Sequence, residues 1–311
     1  MSLHRVVAVV TALLLAAAAA GAAELTPQRL APGVYALIGS SDEAAPDNRG
    51  IVGNGGFIVG ASGVIMVSTG SSYADGRARI ALAERVAGKP VVLGIASQPL
   101  QEFVMGAAAF AERGIPVLAQ DATAKMIVAR CENCLKNLVT ILGEPTMAGT
   151  QVLPPTLTVA ATETREVAGR KLLLWHPAWA ATPGDLLVLD VATGVAFAGA
   201  LVSVRRIPEL RDSQLAGWRK ALAEMKALPI RRLVPGWGPV AGLEALAPMR
   251  RYFDDVERQA TTLLESGASL LETAEHSDLP GYAGWALYPR AHARNLQQVY
   301  LRLEAAGVGA R

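Results

Sequence analysis

The sequence predicts an α+β chain folded as an αββα four-layer sandwich, with helices covering the outer faces of two facing β-sheets. Two observations carry this. Strands, helices, strands again and helices follow one another in that order, and a break at Pro154-Pro155 divides the order into two half-units. Half-units of that kind pack best with their sheets face to face and their helices outside. The division is expected near residues 150–155, within a single domain spanning residues 24–311.

Taken in order, residues 1–23 read as a signal peptide. His4 and Arg5 give a short basic start, residues 6–20 an apolar run, and Gly21-Ala22-Ala23 a small-residue cleavage site. The run is short and Ala-rich for a bilayer span, which needs roughly 20 apolar residues. The mature protein is therefore expected in the periplasm, with no membrane contact after cleavage. Residues 30–39 read as one strand entered through a Pro-Gly turn, and residues 40–50 as a polar loop. Residues 54–60 and 63–70 read as a hairpin around Ala61-Ser62-Gly63, followed by a helix over residues 74–86. Residues 91–95 form a β-prone apolar run, broken by Ser97-Gln98-Pro99 and followed by a helix from Glu102 through Phe110.

Residues 115–119 form another strand. Asp121 or Thr123 can cap the next helix, which places Cys131 and Cys134 one or two turns in. Residues 156–159, 165–167 and 171–175 suggest a β-meander, and residues 186–189 and 195–197 a hairpin. A helix over 214–228 precedes a strand at 232–234 that ends at Pro235-Gly236. The remainder, from Leu243, is helical.

With 311 residues, 51% of them apolar and 18% charged, the chain has ample material for a core. A net charge of +2 excludes a concentrated basic face and with it a nucleic-acid groove. Arg205-Arg206 and Arg231-Arg232 are too short for a phosphate track and read as solvated loop residues. Cys131 and Cys134 stand at CxxC spacing. On a helix, residues three apart lie about 5–6 Å from one another, within disulfide reach. A structural disulfide, an exchange-active pair and another use all remain open. Leu135 in place of a histidine excludes a c-type haem signature. Of the three histidines after the targeting segment, His176 is a candidate base, with a hydrogen-bonded loop role as the alternative. His276 and His292 read as structural. Asp185 reads as a turn-stabilising carboxylate. No GxSxG nucleophile and no phosphate loop occurs.

Five segments in sequence order resemble the metallo-β-lactamase superfamily, over residues 30–304. They are Gly56-Phe57-Ile58-Val59 with residues 63–70, residues 104–110, Thr182-Pro183-Gly184-Asp185-Leu186, residues 197–202, and Val234-Pro235-Gly236-Trp237-Gly238. The CxxC ahead of a Leu-Gly-Glu helix end, Met147-Ala148-Gly149-Thr150 and the export signal resemble the exported branch found with quinoprotein alcohol dehydrogenases and sulfur oxidation. The resemblance implies hydrolysis assisted by zinc, which needs about three protein ligands per ion. Carried over one by one, the metal positions hold Gln98, Leu100, Glu102, Phe103, Ala181, Ala200 and Trp237, and Ser68 stands where the hairpin often ends in aspartate. Only Gln98 and Glu102 could bind a metal. No zinc and no other cofactor is therefore expected. Leu100, Phe103 and Trp237 either fill the vacated space or line a dry pocket.

The expected function is a degenerate, non-catalytic binding or accessory protein in periplasmic alcohol or sulfur oxidation. Its partner would be a small ligand or another periplasmic protein, and the protein itself a monomer or weak dimer. The alternatives are a hydrolase with an atypical site, with Glu102 and His176 as its candidate residues, and a thiol-disulfide protein using Cys131 and Cys134.

Overall fold

The computed structural model describes residues 25–288 and 290–307, so the predicted signal peptide, residues 1–23, lies outside the described residues. The first half runs β1 (Pro27–Ala31), β2 (Val34–Leu37), β3 (Gly55–Val59), β4 (Val64–Val67), α1 (Tyr73–Ala87), β5 (Val91–Ala96), α2 (Gln101–Val104), α3 (Ala107–Glu112), β6 (Val117–Gln120), α4 (Asp121–Leu142), α5 (Glu144–Met147) and β7 (Leu157–Val159). The second half runs β8 (Glu163–Val167), β9 (Arg170–Trp175), β10 (Leu187–Asp190), β11 (Val195–Ser203), α6 (Leu215–Glu224), β12 (Arg232–Trp237), α7 (Leu246–Glu265), α8 (Glu272–Glu275) and α9 (Arg290–Ala305).

The strands form two sheets, β1-β2-β3-β4-β5-β6-β7 and β12-β11-β10-β9-β8. Pairing is antiparallel from β1 to β4 and parallel from β4 to β7. Strand periodicity explains the layering. On β4, Ile65 and Val67 join a core shared with Leu172, Val188 and Phe197 of the other sheet, whereas Val64 and Met66 join the core beneath α1 and α3. On β10, Val188 faces inward, while Leu187 and Leu189 face the layer of α6 and α7. Both faces of each sheet are thus buried, as four layers require, and the αββα architecture stands.

Several elements differ from the sequence reading, each for a local reason. Residues 30–39 are not one strand. Gly33, at φ +73°, turns the chain back so that β1 and β2 pair as a hairpin. Residues 157–159 do not join a meander. Thr156 bonds across to Val117 (N to O, 2.9 Å), which seats β7 parallel to β6 in the first sheet. The boundary between the sheets therefore falls at residues 160–162, not at 150–155. The helix after β5 is interrupted at Met105-Gly106, where a Cβ on Gly106 would run into the Thr69 carbonyl. Gln120 caps α4, not Asp121 or Thr123. Finally, β12 continues through Pro235-Gly236 to Trp237. It is an edge strand, where the missing proline N–H is tolerated.

Candidate functional site

The site positions read from the sequence are assembled from the carboxyl-end loops of β5 and β12, from β11, and from the segment joining β9 to β10. Ser97, Gln98 and Leu100 follow β5, and Glu102 and Phe103 ride on α2. Ala200 lies on β11, Trp237 ends β12, and Ala181 precedes β10. Asn54 fixes the Trp237 turn to the first sheet. Its backbone N–H donates to Gly236 O (2.7 Å), and its side-chain Nδ2 donates to Pro235 O (3.0 Å) and Gly238 O (2.7 Å). Sequence reading missed this residue; a lone Asn beside a Gly-Gly pair gave no signal of a contact 181 residues away.

These side chains do converge, and they pack. The rings of Phe103 and Trp237 meet edge to face, with centroids 5.4 Å apart. Phe103 reaches this position because Gly53, at φ +75°, offers it no side chain; a Cβ there would sit 2.7 Å from the ring. Leu100, Ala181, Ala200 and Trp237 enclose a remnant of only about 10 Å³, room for no more than a single water. Gln98 is fully buried against Gly199, its Oε1 accepting from Ser97 Oγ. The deep part of the space is thus filled, as one of the two sequence readings expects.

Above this plug lies an open cavity of about 410 Å³. Glu102, Cys134, Arg206, Arg211 and Trp237 all line it. Arg206 corrects the sequence reading. It is 7% exposed, not a solvated loop residue, and its guanidinium lies 4.3 Å above the Trp237 ring. The stack is a cation–π contact, which favours Trp among ring partners. Arg206 Nε donates to Ser41 O (2.8 Å), and its Nη groups have no protein partner among the described residues. Glu102 is half-buried in the wall. Burial pushes its carboxyl above the ordinary range, against the pull of the Arg206 charge. Most other charges at the rim are paired: Arg130 with Asp212 (2.6 Å), and Glu43 with Arg290 and Arg294 (3.1 and 3.2 Å).

The donor set does not fit zinc. Ala181, Ala200, Leu100 and Phe103 offer no lone pair, and the Trp237 indole only donates. Gln98 Oε1 is engaged by Ser97, which leaves Glu102 as the one carboxylate among the seven positions. Among the described residues, no group of three or more His, Cys, Asp or Glu could hold a metal ion. The orphaned atoms point the other way. Gln98 Nε2 and Trp237 Nε1 are buried without partners, and both are donors, suited to an acceptor atom and not to a cation.

The remaining candidates separate from this cavity. His176 does not line it. Its Nδ1 lies 2.9 Å from Asp185 O, a carbonyl, so Nδ1 carries the proton and donates. Asp185 is buried in its turn, accepting from Thr182 N (2.7 Å) and Thr182 Oγ1 (2.9 Å). Burial pushes its carboxyl up to about 7, against the two Thr182 bonds. His276 is exposed. Cys131 and Cys134 are both free thiols on α4. Cys131 stands ten residues beyond Asp121, about three turns into the helix. The sequence reading of one or two turns is thereby lengthened, and the helix amino terminus is too far away to act on either thiol.

No family model and no curated protein matches the sequence. Solved structures do match. The metallo-β-lactamase from Pontibacter korlensis aligns at a TM-score of 0.61 and 18% identity, covering 74% of this chain and 99% of that one. A metallo-β-lactamase from Hirschia baltica gives 0.59 and 20%, covering 74% and 97%. One from Erythrobacter litoralis gives 0.56 and 19%, covering 75% and 97%. At these identities the likeness establishes architecture, and the chain has the metallo-β-lactamase fold.

Proposed function

We propose that this protein is a binding or accessory protein that has given up the zinc chemistry associated with its fold and uses the mouth of the old site to hold a small ligand bearing an anionic or strongly accepting group. The observation that supports this most is Arg206: buried, stacked on Trp237, and with both Nη groups directed to no protein acceptor. Arg206 lines the cavity and its Nη groups meet no protein acceptor among the described residues, so an anion in the cavity could pair with them. Glu102, with its carboxyl pushed towards the protonated form, adds a donor on another wall. The targeting segment read from residues 1–23 and the resemblance to exported proteins support a role in the periplasm, beside alcohol or sulfur oxidation.

Two measurements test the reading. Metal analysis of the purified mature protein should find zinc far below one equivalent, and stoichiometric zinc that supports hydrolysis overturns the proposal. Calorimetric titration with small carboxylates should find at least one that binds. Arg206→Leu should weaken that binding by roughly 10- to 100-fold, the value of a charge-assisted hydrogen bond. Binding unchanged by Arg206→Leu removes the site from the cavity.

A further inference from the structure

We propose that Cys131 and Cys134 are a thiol–disulfide exchange pair acting on small disulfides that enter the cavity, with Cys134 the attacking sulfur and Cys131 the resolving one. This activity needs neither a metal nor the ligand proposed for Arg206.

Placement divides the two roles. Cys134 lines the cavity and is half-buried, so a molecule inside can reach it. Cys131, one helical turn earlier, is 1% exposed and packed in the core beside Ile127 and Leu138. No external molecule meets it directly, but Cys134, three residues on along the same helix with its Sγ 3.6 Å from Arg130 O, lies near enough to couple to it electrostatically. Their spacing on the helix, about 5–6 Å between Cβ atoms, exceeds the roughly 3.5–4.5 Å of a disulfide by about 1 Å. A small local adjustment of α4 closes the bond.

The charges support the same order. Coupling to the neighbouring Cys131 thiol, helped by the Arg211 charge, draws Cys134 down to about 7 against burial and against Glu102. The same coupling, together with burial, holds the proton on Cys131, whose thiol is pushed up. Glu102 faces Cys134 from α2 and Arg211 from the segment after β11. Asp212 is occupied by Arg130 of α4 itself (2.6 Å) and lies 3.7 Å from Arg211. Glu43, Arg206, Glu209 and Arg294 complete the charged lining. Arg211 is therefore the nearby cation whose charge favours the thiolate.

The reaction balances. The Cys134 thiolate attacks one sulfur of R–S–S–R, the S–S bond breaks, a mixed disulfide forms on Cys134, and RS⁻ leaves to take a proton from solvent. Cys134 is then no longer an anion, so the interaction that held the proton on Cys131 is gone. Cys131 releases it to solvent and attacks the Cys134 sulfur, which expels the second RS⁻. Counted from the dithiol, whose Cys134 proton passes to solvent before the attack, the protein loses two electrons and two protons, and R–S–S–R becomes two RSH. A dithiol reductant reverses the change.

The test uses the reduced, folded mature protein and oxidised glutathione, read by intact mass. Wild type should pass to the internal disulfide and release two equivalents of glutathione. Cys131→Ser should accumulate one glutathione on Cys134, and Cys134→Ser should react roughly 100-fold more slowly. Alkylation of Cys134 should show a midpoint near 7 in wild type. In Cys131→Ser that midpoint should move up towards the free-thiol value of about 8.5. Far-ultraviolet circular dichroism shows whether each serine variant is folded; if one is not, Cys131→Ala or Cys134→Ala replaces it. Glutathione trapped on Cys131, a midpoint unmoved by Cys131→Ser, or a native protein inert to the disulfide each overturns the proposal.

Discussion

Two buried polar clusters in this molecule are built in opposite ways. In the helical layer, the Tyr252 hydroxyl lies 3.1 Å from His292 Nδ1 and accepts from Asn295 Nδ2 (2.9 Å). His292 Nε2 pairs with Gln259 Oε1 (3.1 Å), and Asn295 closes the set by accepting from Leu210 N (3.1 Å) and donating to Pro208 O (2.7 Å). At the candidate site, by contrast, Gln98 Nε2 and Trp237 Nε1 are buried without a partner among the described residues, and the Arg206 Nη groups meet no protein acceptor there. Satisfied networks of this kind hold a fold together, and orphaned donors mark a place shaped for something else. The comparison supports a structural role for the first cluster and fits the ligand recognition proposed for the second.

The assignment breaks if His292 proves dispensable. His292→Ala should cost about 3 kcal/mol at pH 7.5, from the cavity and from two unpaired buried groups, while leaving binding at Arg206 unchanged. Urea unfolding monitored by fluorescence measures the cost. The gap should also depend on pH with a definite sign. Burial depresses His292 from 6.5 to about 4, so between those values the unfolded chain holds a proton that the native protein refuses. Wild-type stability therefore falls as pH drops through this window, by at most about 1.4 kcal/mol per pH unit. The variant lacks that loss, so the gap should narrow from pH 6.5 towards 4. Asp185 titrates the opposite way over part of the range, but it is common to both proteins and cancels in the difference. A gap constant with pH means that His292 titrates normally and is not the buried anchor described.

The contrast also shows why parts of the molecule were legible in the sequence. The two sheets were readable because every central strand alternates or is apolar throughout, and the turn residues fall where the chain reverses. The positions of Gln98, Leu100, Phe103, Ala181, Ala200 and Trp237 were read from ordered motifs, and the fold packs Phe103 edge to face on Trp237. Arg206 was not found. On the sequence it is half of a short basic pair, and only the fold sets its guanidinium on an indole from another strand, 31 residues on. Asn54 was missed for the same reason, since its partners lie on β12 and just beyond it. β7 was assigned to the wrong sheet because a three-residue strand carries no periodic signal of which partner it will choose.

The finest distinction between the clusters lies at Gln98. It is fully buried, and its Nε2 has no partner. Such an atom has lost its hydration without recovering a hydrogen bond, at a cost of about 1–3 kcal/mol. Gln98→Met keeps nearly the same length and volume, removes the orphan, and withdraws the acceptor of Ser97 Oγ, two changes that oppose each other. The net effect should lie between no change and about 1 kcal/mol of added stability. The matching change in the satisfied cluster, Asn295→Leu, removes three hydrogen bonds and strands Leu210 N and Pro208 O, so it should lose about 3 kcal/mol or more. Urea midpoints of the two variants, taken at pH 7.5 where neither His292 nor its partners are titrating, give the ratio directly. If Gln98→Met loses as much as Asn295→Leu, then the Gln98 amide is held by a strong interaction, and the candidate site is structural in the same sense as the Tyr252 cluster.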